Sequence, residues 1–310
     1  MKPVWQPSRD MRFEADGKHV ISFEASCPIR LEYQYFTSDH RLTPNYHDYL
    51  EVFYVCEGRG RYLSDAGDTA LHKDDMLVIG NRDLHAMEAD PGIVLRNAVL
   101  WFMPSLVYRL GGDENDLDYL RPFYAHAKGF VRKIPGAVSR SVGAFAMLQR
   151  MAGELASRQA GYRLAVKAIL LGLLTVIARH FAGKVEQLPA NEAGTGNIER
   201  LRPVFVHISA NYQERILLRQ LAAIAHMSPS YLCRFFRQST GRSLTIYINR
   251  LRIDRAKELL LATGWPVSRV AQDTGFDSHS YMDRMFRRLV GSSPQEFRMM
   301  HRSTRRKRTI

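Results

Sequence analysis

Two stretches of this chain repeat a pattern of arginine, serine and aromatic residues. MSPSYLCRFFRQSTG runs from Met227 to Gly241, and DSHSYMDRMFRRLVG runs from Asp277 to Gly291. Aligned without a gap, they share seven of fifteen positions: Ser228/Ser278, Ser230/Ser280, Tyr231/Tyr281, Arg234/Arg284, Phe236/Phe286, Arg237/Arg287 and Gly241/Gly291. Each copy predicts a short amphipathic helix. Leu232 and Phe236 lie four residues apart on one side, as do Met282 and Phe286. Ser230, Cys233, Arg234 and Arg237 fall on the opposite face, as do Ser280, Asp283, Arg284 and Arg287. A guanidinium can bond a guanine edge through two hydrogen bonds, or it can grip a phosphate. Packing alone does not require matched arginines on the outer face of both copies.

The flanking residues indicate how such helices would be held. LRQLAAIAHM predicts a short helix before the first copy, with Leu221, Ile224 and Ala225 inward, and VSRVAQDTGF predicts one before the second. Ser228 and Ser278 are placed to cap the helices that follow, because a serine hydroxyl accepts the free amides of a first turn. Gly275 supplies a left-handed turn residue. Both copies therefore read as helix–turn–helix units, whose second helix enters a DNA major groove. Between them, Thr245 to Thr263 predicts one linker helix with Leu251, Ala256, Leu259 and Leu260 on its apolar face and Gly264 as its stop. Nineteen helical residues span about 28 Å at about 1.5 Å each, close to the roughly 34 Å between successive major-groove faces. One rigid helix would thus hold two readers on adjacent turns of one DNA side. The competing reading is a duplicated helical bundle whose arginines are merely solvated.

Charge follows the same division. The chain carries a net charge of +13 from 44 Lys and Arg against 31 Asp and Glu. From Asn197 onward there are 21 basic and 8 acidic residues, so the preceding stretch is balanced. A neutral front half and a basic back half point to one module for a small molecule or protein and one for a polyanion.

Short β-rich runs fill residues 20 to 103: IRLEYQYF, YLEVFYVC, DMLVIG and IVLRNAVLWFM, punctuated by EGRG, DAGD and ADPG. They predict a small barrel or sandwich. After Pro104 the pattern turns helical, with two helices broken near Gly161. In the second, Val166, Ile169, Leu170, Leu173, Leu174 and Ile177 form a stripe that Leu164, Leu171 and Val176 widen. Such a helix is expected to be buried on two sides, against the barrel and against a second subunit. The run from Leu164 to Ala178 is too short to span a bilayer and carries Lys167. GKVEQLPANEAGTGN, Gly183 to Asn197, reads as a linker, and the basic tail after residue 300 as disordered. Cys27, Cys56 and Cys233 have neither zinc spacing nor a disulfide framework, which fits a reducing cytosol. No signal peptide, phosphate loop or G-x-S-x-G elbow is found. The expected class is α+β in two domains: a barrel over 1–104, a helical dimerisation segment over 105–182, a linker over 183–197, an all-α double helix–turn–helix over 198–300 and a tail over 301–310.

The back half resembles the AraC/XylS transcription regulators. The resemblance spans Ile198 to Met300 and rests on LAAIAHMSPSYLCRFFRQSTGRS and RIDRAKELLLATGWPVSRVAQDTGFDSHSYMDRMFRRLVGSSPQEFR, including the A-x-x-x-G-F and F-R-R-x-x-G-x-S-P-x-x-F-R strings. It implies base readers near Ser230, Cys233 and Arg234, and near His279, Ser280, Asp283 and Arg284, with Arg237 and Arg287 on phosphate. Asp283 is expected to lie beside Arg284, orienting or neutralising it. The family also implies double-stranded DNA, a small-molecule effector, a homodimer and RNA polymerase as partners, with no membrane, no enzymatic activity and a cytoplasmic location.

In the front half, NYHDYLEVFYVCEGRG resembles a cupin strand pair. His47 and Glu51 fit H-x-x-x-E, and His85 fits the later cupin histidine. Asn45 stands where metal cupins have a further histidine, so no metal or other cofactor is expected. The resemblance implies a sugar or other polar effector bonded by His47, Glu51 and His85. Tyr49 and Phe53 share the strand phase of Glu51 and are expected to offer stacking surface. The second reading is a metal-dependent cupin enzyme carrying a DNA-binding appendage.

Overall fold

The computed structural model describes residues 3–8, 13–14, 17–24, 26–38, 44–64, 67–80, 83–107, 119–125, 130–188, 201–240 and 243–306. The chain divides into two compact units near residue 200.

The first unit is built on two sheets. Strands β1 (Gln6–Pro7), β2 (Ile29–Thr37), β3 (Leu50–Glu57), β4 (Gly60–Ser64), β5 (Thr69–Leu71), β6 (Met76–Ile79), β7 (His85–Ala89), β8 (Val94–Phe102) and β9 (Lys133–Ile134) pair in the orders β1-β2-β8-β3-β6-β9 and β5-β4-β7. β3 and β8 are rich in β-branched and aromatic residues and buried on both faces, which explains their nearly continuous apolar runs. Residues of one phase, including Phe53, Val55, Leu95, Val99 and Trp101, join the interior cluster with Tyr62 and Met87. The other phase meets helices: Tyr54 stacks on Phe145 at 5.4 Å, and Phe102 meets Phe123 edge-on at 5.6 Å. Gly58 sits in the β3–β4 turn at φ +88, where a Cβ would come within 2.5 Å of the Val94 carbonyl.

The four runs singled out in the sequence are β2, β3, β6 and β8. The smaller sheet, β4, β5 and β7, went unassigned because its strands are short and interrupted by glycine and charge. Segment 105–182 is not wholly helical, since β9 closes the large sheet against β6. Its helices are α1 (Arg121–Tyr124), α2 (Gly136–Ser141), α3 (Ala144–Ser157) and α4 (Tyr162–Glu186). α3 and α4 break at Gly161, which has φ +87. α4 runs to Glu186, four residues into the expected linker. At 25 residues it is long enough to cross a bilayer, so the length argument against a span fails. Its stripe of Val166, Leu170, Leu173, Leu174 and Ile177 is nevertheless buried inside the unit. The opposite face is open, with Leu164 74% exposed.

The second unit is all helix: α5 (Arg202–Asn211), α6 (Leu218–Ile224), α7 (Pro229–Thr240), α8 (Leu244–Ala262), α9 (Val267–Asp273), α10 (His279–Val290) and α11 (Pro294–Arg306). Phe205, Phe236 and Tyr247 pack ring to ring at 5.1–5.5 Å under the first helix–turn–helix. Ile253, Ala256, Leu260, Val270, Met282 and Phe286 form the core of the second. The linker helix α8 has the expected 19 residues, one position earlier, because Ser243 caps it by accepting from the Ile246 amide at 3.3 Å. It stops at Thr263, whose extended backbone turns the chain away, rather than at Gly264. The basic tail is not disordered at its start. α11 continues to Arg306, launched by a reciprocal cap between Ser293 and Glu296. Residues 307–310 lie outside the described residues.

Candidate functional site

The two repeated stretches form α7 and α10. Ser228 accepts from the Tyr231 amide at 3.3 Å, and Ser278 accepts from the Tyr281 amide at 3.2 Å. These hydroxyls satisfy amides that a helix start otherwise leaves without partners. The turns entering the two helices also match. The Met227 amide donates to Ala222 O at 2.9 Å, and the Phe276 amide donates to Ala271 O at 3.0 Å. The left-handed residue is His226 at φ +52 in the first turn and Gly275 at φ +80 in the second. Counted from these residues, Ser278 comes three positions later and Ser228 only two, so the second turn is one residue longer. Gly291 ends α10 in the left-handed conformation. Its counterpart Gly241 lies outside the described residues.

Leu232, Phe236, Met282 and Phe286 are buried, while Ser230, Cys233, Arg234, Arg237, His279, Ser280, Arg284 and Arg287 are exposed. Arg234 lies over the Tyr231 ring at 5.4 Å, and Arg284 lies over the Tyr281 ring at the same distance. An aromatic face holds a guanidinium without using its hydrogen bonds, so both arginines present an open fork. Asp283 departs from expectation. It is half-buried and accepts from Arg287 Nε at 3.1 Å, one helical turn on, rather than pairing with Arg284. Glu296 lies 3.7 Å from the same guanidinium. Arg287 is therefore shared with two carboxylates.

Sequence reading missed what fixes one unit to the other. Arg252 on α8 is 9% exposed. It donates from Nε to Tyr212 O at 2.8 Å and from Nη2 to Glu214 O at 2.7 Å, and its guanidinium lies 5.8 Å from the Phe276 ring. Asn249 donates to the Tyr281 hydroxyl at 2.8 Å. Gly275 closes the contact, because a Cβ there would lie 2.6 Å from the Tyr212 and Gln213 carbonyls. The segment leading into the first unit and the turn of the second are thus locked on the linker helix. The only sequence signal was an arginine on an otherwise apolar helix face.

In the first unit, His47, Glu51 and His85 are all buried and converge, with one ligand atom from each within 4.8 Å of the others. His47 donates from Nδ1 to Tyr49 O at 2.9 Å and from Nε2 to Glu51 Oε2 at 3.0 Å. The Trp101 indole donates to the same carboxylate oxygen at 2.8 Å. Burial alone would raise the Glu51 pKa, but the hydrogen bond and charge of His47 and the Trp101 N–H outweigh it and hold the carboxyl below its usual range. Burial lowers the pKa of His85, whose Nδ1 donates to Asp83 O at 2.8 Å and leaves Nε2 as an acceptor. Burial also lowers His19, to about 4, and its Nδ1 accepts from the Tyr49 hydroxyl at 2.5 Å.

These groups border a small chamber of about 20 Å³ lined by Glu51, Phe53, His85 and Trp101 and by His19, Gln34, Phe36, Asn45, Met87 and Val99. Phe53 faces it as expected. Tyr49 does not offer stacking surface, because its ring is stacked on His47 at 4.1 Å and its hydroxyl is bonded to His19. His47 stands behind Glu51 rather than on the chamber wall. His19 lies outside the main strands, in a segment held by the His19 amide bonded to Tyr46 O at 2.8 Å, and gave no periodic signal. Asn45 forms a two-way backbone bridge with His85 at 2.9 and 3.0 Å. Two imidazoles and a carboxylate also suit an iron- or zinc-class ion, so the donor set fits a metal without a histidine at Asn45.

Comparison with known proteins gives the same division. Residues 27–174 match the model of the AraC-like ligand binding domain, and residues 221–300 match a helix-turn-helix domain. The chain is 25% identical to the HTH-type transcriptional activator RhaS of Salmonella schwarzengrund, over 92% of this chain and 94% of that one. It is 22% identical to the uncharacterized HTH-type transcriptional regulator YfiF of Bacillus subtilis, over 84% of this chain and 79% of that one. Among solved structures, the DNA-binding domain of the transcriptional factor AdpA, in complex with a target DNA, is 31% identical over 34% of this chain and 95% of its own, with a TM-score of 0.32.

Proposed function

Because this chain belongs to the AraC/XylS family of ligand-responsive, DNA-binding transcription regulators, we propose that its chamber takes a small polar effector and that α7 and α10 read two DNA half-sites. One observation carries the DNA reading: two serine-capped helices in one compact unit present the same exposed Tyr–Arg pair. Arg234 and Arg284 bond base edges, together with Ser230, Cys233, His279 and Ser280. Arg237 and Arg287 hold phosphate. Asp283 serves mainly to orient Arg287, since the two are bonded. The protein acts in the cytoplasm as a homodimer, contacts RNA polymerase at its promoters and catalyses no reaction.

The response starts at β3. Glu51 and Phe53 of this strand border the chamber, while Tyr54 between them and the helices stacks on Phe145 of α3. An effector that displaces Phe53 therefore moves the strand that α3 rests on. α3 packs against α4, and α4 has an open apolar face around Leu164 suited to a second copy. A coupling of about 1–3 kcal/mol through this path changes DNA affinity by about 5–150-fold. The test is to map the sites the protein occupies across its genome, then titrate purified protein on one such site with metabolites of the neighbouring genes. A change in DNA affinity supports the reading, and indifference to all of them contradicts it.

The converging donors of His47, Glu51 and His85 favour a second reading, in which the chamber holds an ion. A bound zinc or iron would supply Lewis-acid chemistry there. His47, Glu51 and His85 would hold it, with Asp83 O and Tyr49 O orienting the two rings. Stoichiometric metal in protein purified without chelator would support that reading, and less than a tenth of an equivalent would dismiss it.

A further inference from the structure

Asn97, at the middle of β8, is 1% exposed, and neither its side-chain oxygen nor its side-chain nitrogen has a hydrogen-bond partner. Buried amides in folded proteins almost always have partners, and one without them costs stability. Alternation along β8 points this side chain the same way as Leu95, Val99 and Trp101, into the interior cluster. Register sets it opposite Gln34 of β2 and Val55 of β3, and Val99 beside it lines the chamber, as does Gln34. A leucine or valine would fill this place without an unmet polar group.

We propose that Asn97 recognises the effector, and that the effector is a neutral, hydroxyl-rich molecule rather than an organic acid. This rests on the reading of the chamber as the effector site. A carboxamide presents an acceptor and a donor side by side, and two neighbouring hydroxyls match that pair. The other end of the chamber asks for donors. Glu51 is held ionised, and His85 Nε2 is an acceptor because Nδ1 already donates to Asp83 O. Hydroxyls meet both requirements. A carboxylate offers no donor and would face Glu51, and no lysine or arginine is among the described residues lining the chamber. Phe36, Phe53, Met87 and Val99 supply an apolar wall for the C–H face of a polyol. At about 20 Å³ the chamber has room for little more than a water. Entry of a polyol therefore displaces these walls, Phe53 of β3 among them.

The test compares the full chain with Asn97→Leu and the smaller Asn97→Val by thermal unfolding. Each is measured alone, with millimolar pentoses, hexoses and polyols, and with the matching aldonic and uronic acids. Without added compound, both variants are expected to unfold about 2–4 °C higher than wild type, the shift for relief of one unmet group in a domain this size. At least one neutral compound is expected to raise the wild-type midpoint, no acid is expected to, and both variants should lose the response. A lower midpoint, or loss of cooperative unfolding, in both variants would mean the carboxamide is already satisfied and would overturn the proposal. A response to acids, or a response that survives both substitutions, would overturn it while leaving the effector reading intact. If no neutral compound or acid shifts the wild type, the proposal fails. The effector reading fails with it only if metabolites of the genes beside the mapped sites also leave DNA affinity unchanged.

Discussion

Arg252→Met probes whether the two reading helices act as one rigid unit. Methionine keeps much of the side-chain stem on α8 but removes both bonds to the Tyr212 and Glu214 carbonyls. A hydrogen bond from a charged donor contributes about 1.5–3 kcal/mol. Opposing that, burial of the guanidinium pulls its pKa down, so part of the gain is already spent on desolvation. A net loss of about 2 kcal/mol follows for the pair of bonds. That loss falls on the contact between the 212–214 segment and the Gly275 turn, not on either helix core. Affinity for a full site should fall by about 30-fold if the whole of it is felt in binding. Affinity for either half-site alone should stay within about twofold, a change worth under 0.5 kcal/mol. The assay is equilibrium binding to a site selected from random DNA, and to versions with one or two base pairs inserted between the half-sites. Wild type should lose more affinity to the insertions than the variant does. Equal full-site affinity and an equal insertion penalty would refute the idea that Arg252 sets the spacing.

Raising salt from about 50 to 200 mM should weaken DNA binding by about 10³–10⁵, given about 6–10 phosphate contacts; a flat response in a filter-binding or anisotropy titration would remove DNA as the reason for the basic half. Arg234→Ala and Arg284→Ala should each cost about 1–3 kcal/mol and relax preference at a different half-site in random-pool selection. The two losses should be similar, because both guanidinia lie over a tyrosine in the same way and Asp283 engages Arg287 instead. Arg237→Ala should weaken specific and random DNA alike and lower the salt slope by about one, whereas Arg287→Ala should do less, since Asp283 and Glu296 already draw on its charge. His19 makes the barrel acid-sensitive. Its pKa is about 4 in the fold and about 6.5 in an unfolded chain, so its contribution is complete above about pH 6.5 and lost as pH falls toward 4. Denaturant titrations of wild type should lose about 2–3 kcal/mol more than His19→Gln between pH 7 and 4.5; parallel pH profiles would show that His19 is not buried as a neutral ring.

The helical unit was the more legible half, because its rules are local. A serine cap, a left-handed glycine and an i, i+4 apolar pair each act within one turn, so α7, α8 and α10 fall where the residues predict. The exceptions involve distant partners. Asp283 could be placed on the outer face, but its choice of Arg287 over Arg284 depends on side-chain direction along the helix. Arg252 looked like one more basic residue, since its partners lie 38 and 40 positions earlier in the chain. In the barrel, Glu51, Phe53 and His85 were visible from type and spacing. His19, Gln34, Trp101 and Asn97 were not, because strand pairing alone brings them to the same interior. The smaller sheet was missed for the same reason: β5 is three residues long and is a strand only by pairing with β4.

The central claim is that one chain reads two half-sites on one side of the DNA. Hydroxyl-radical footprinting of the full chain on its selected site tests this directly. The account predicts, for each chain, two protected patches on the same face, about 10 base pairs apart. Arg234→Ala should erase one patch selectively, and Arg284→Ala the other. A single patch per chain, or two patches that fade together in either variant, would contradict it.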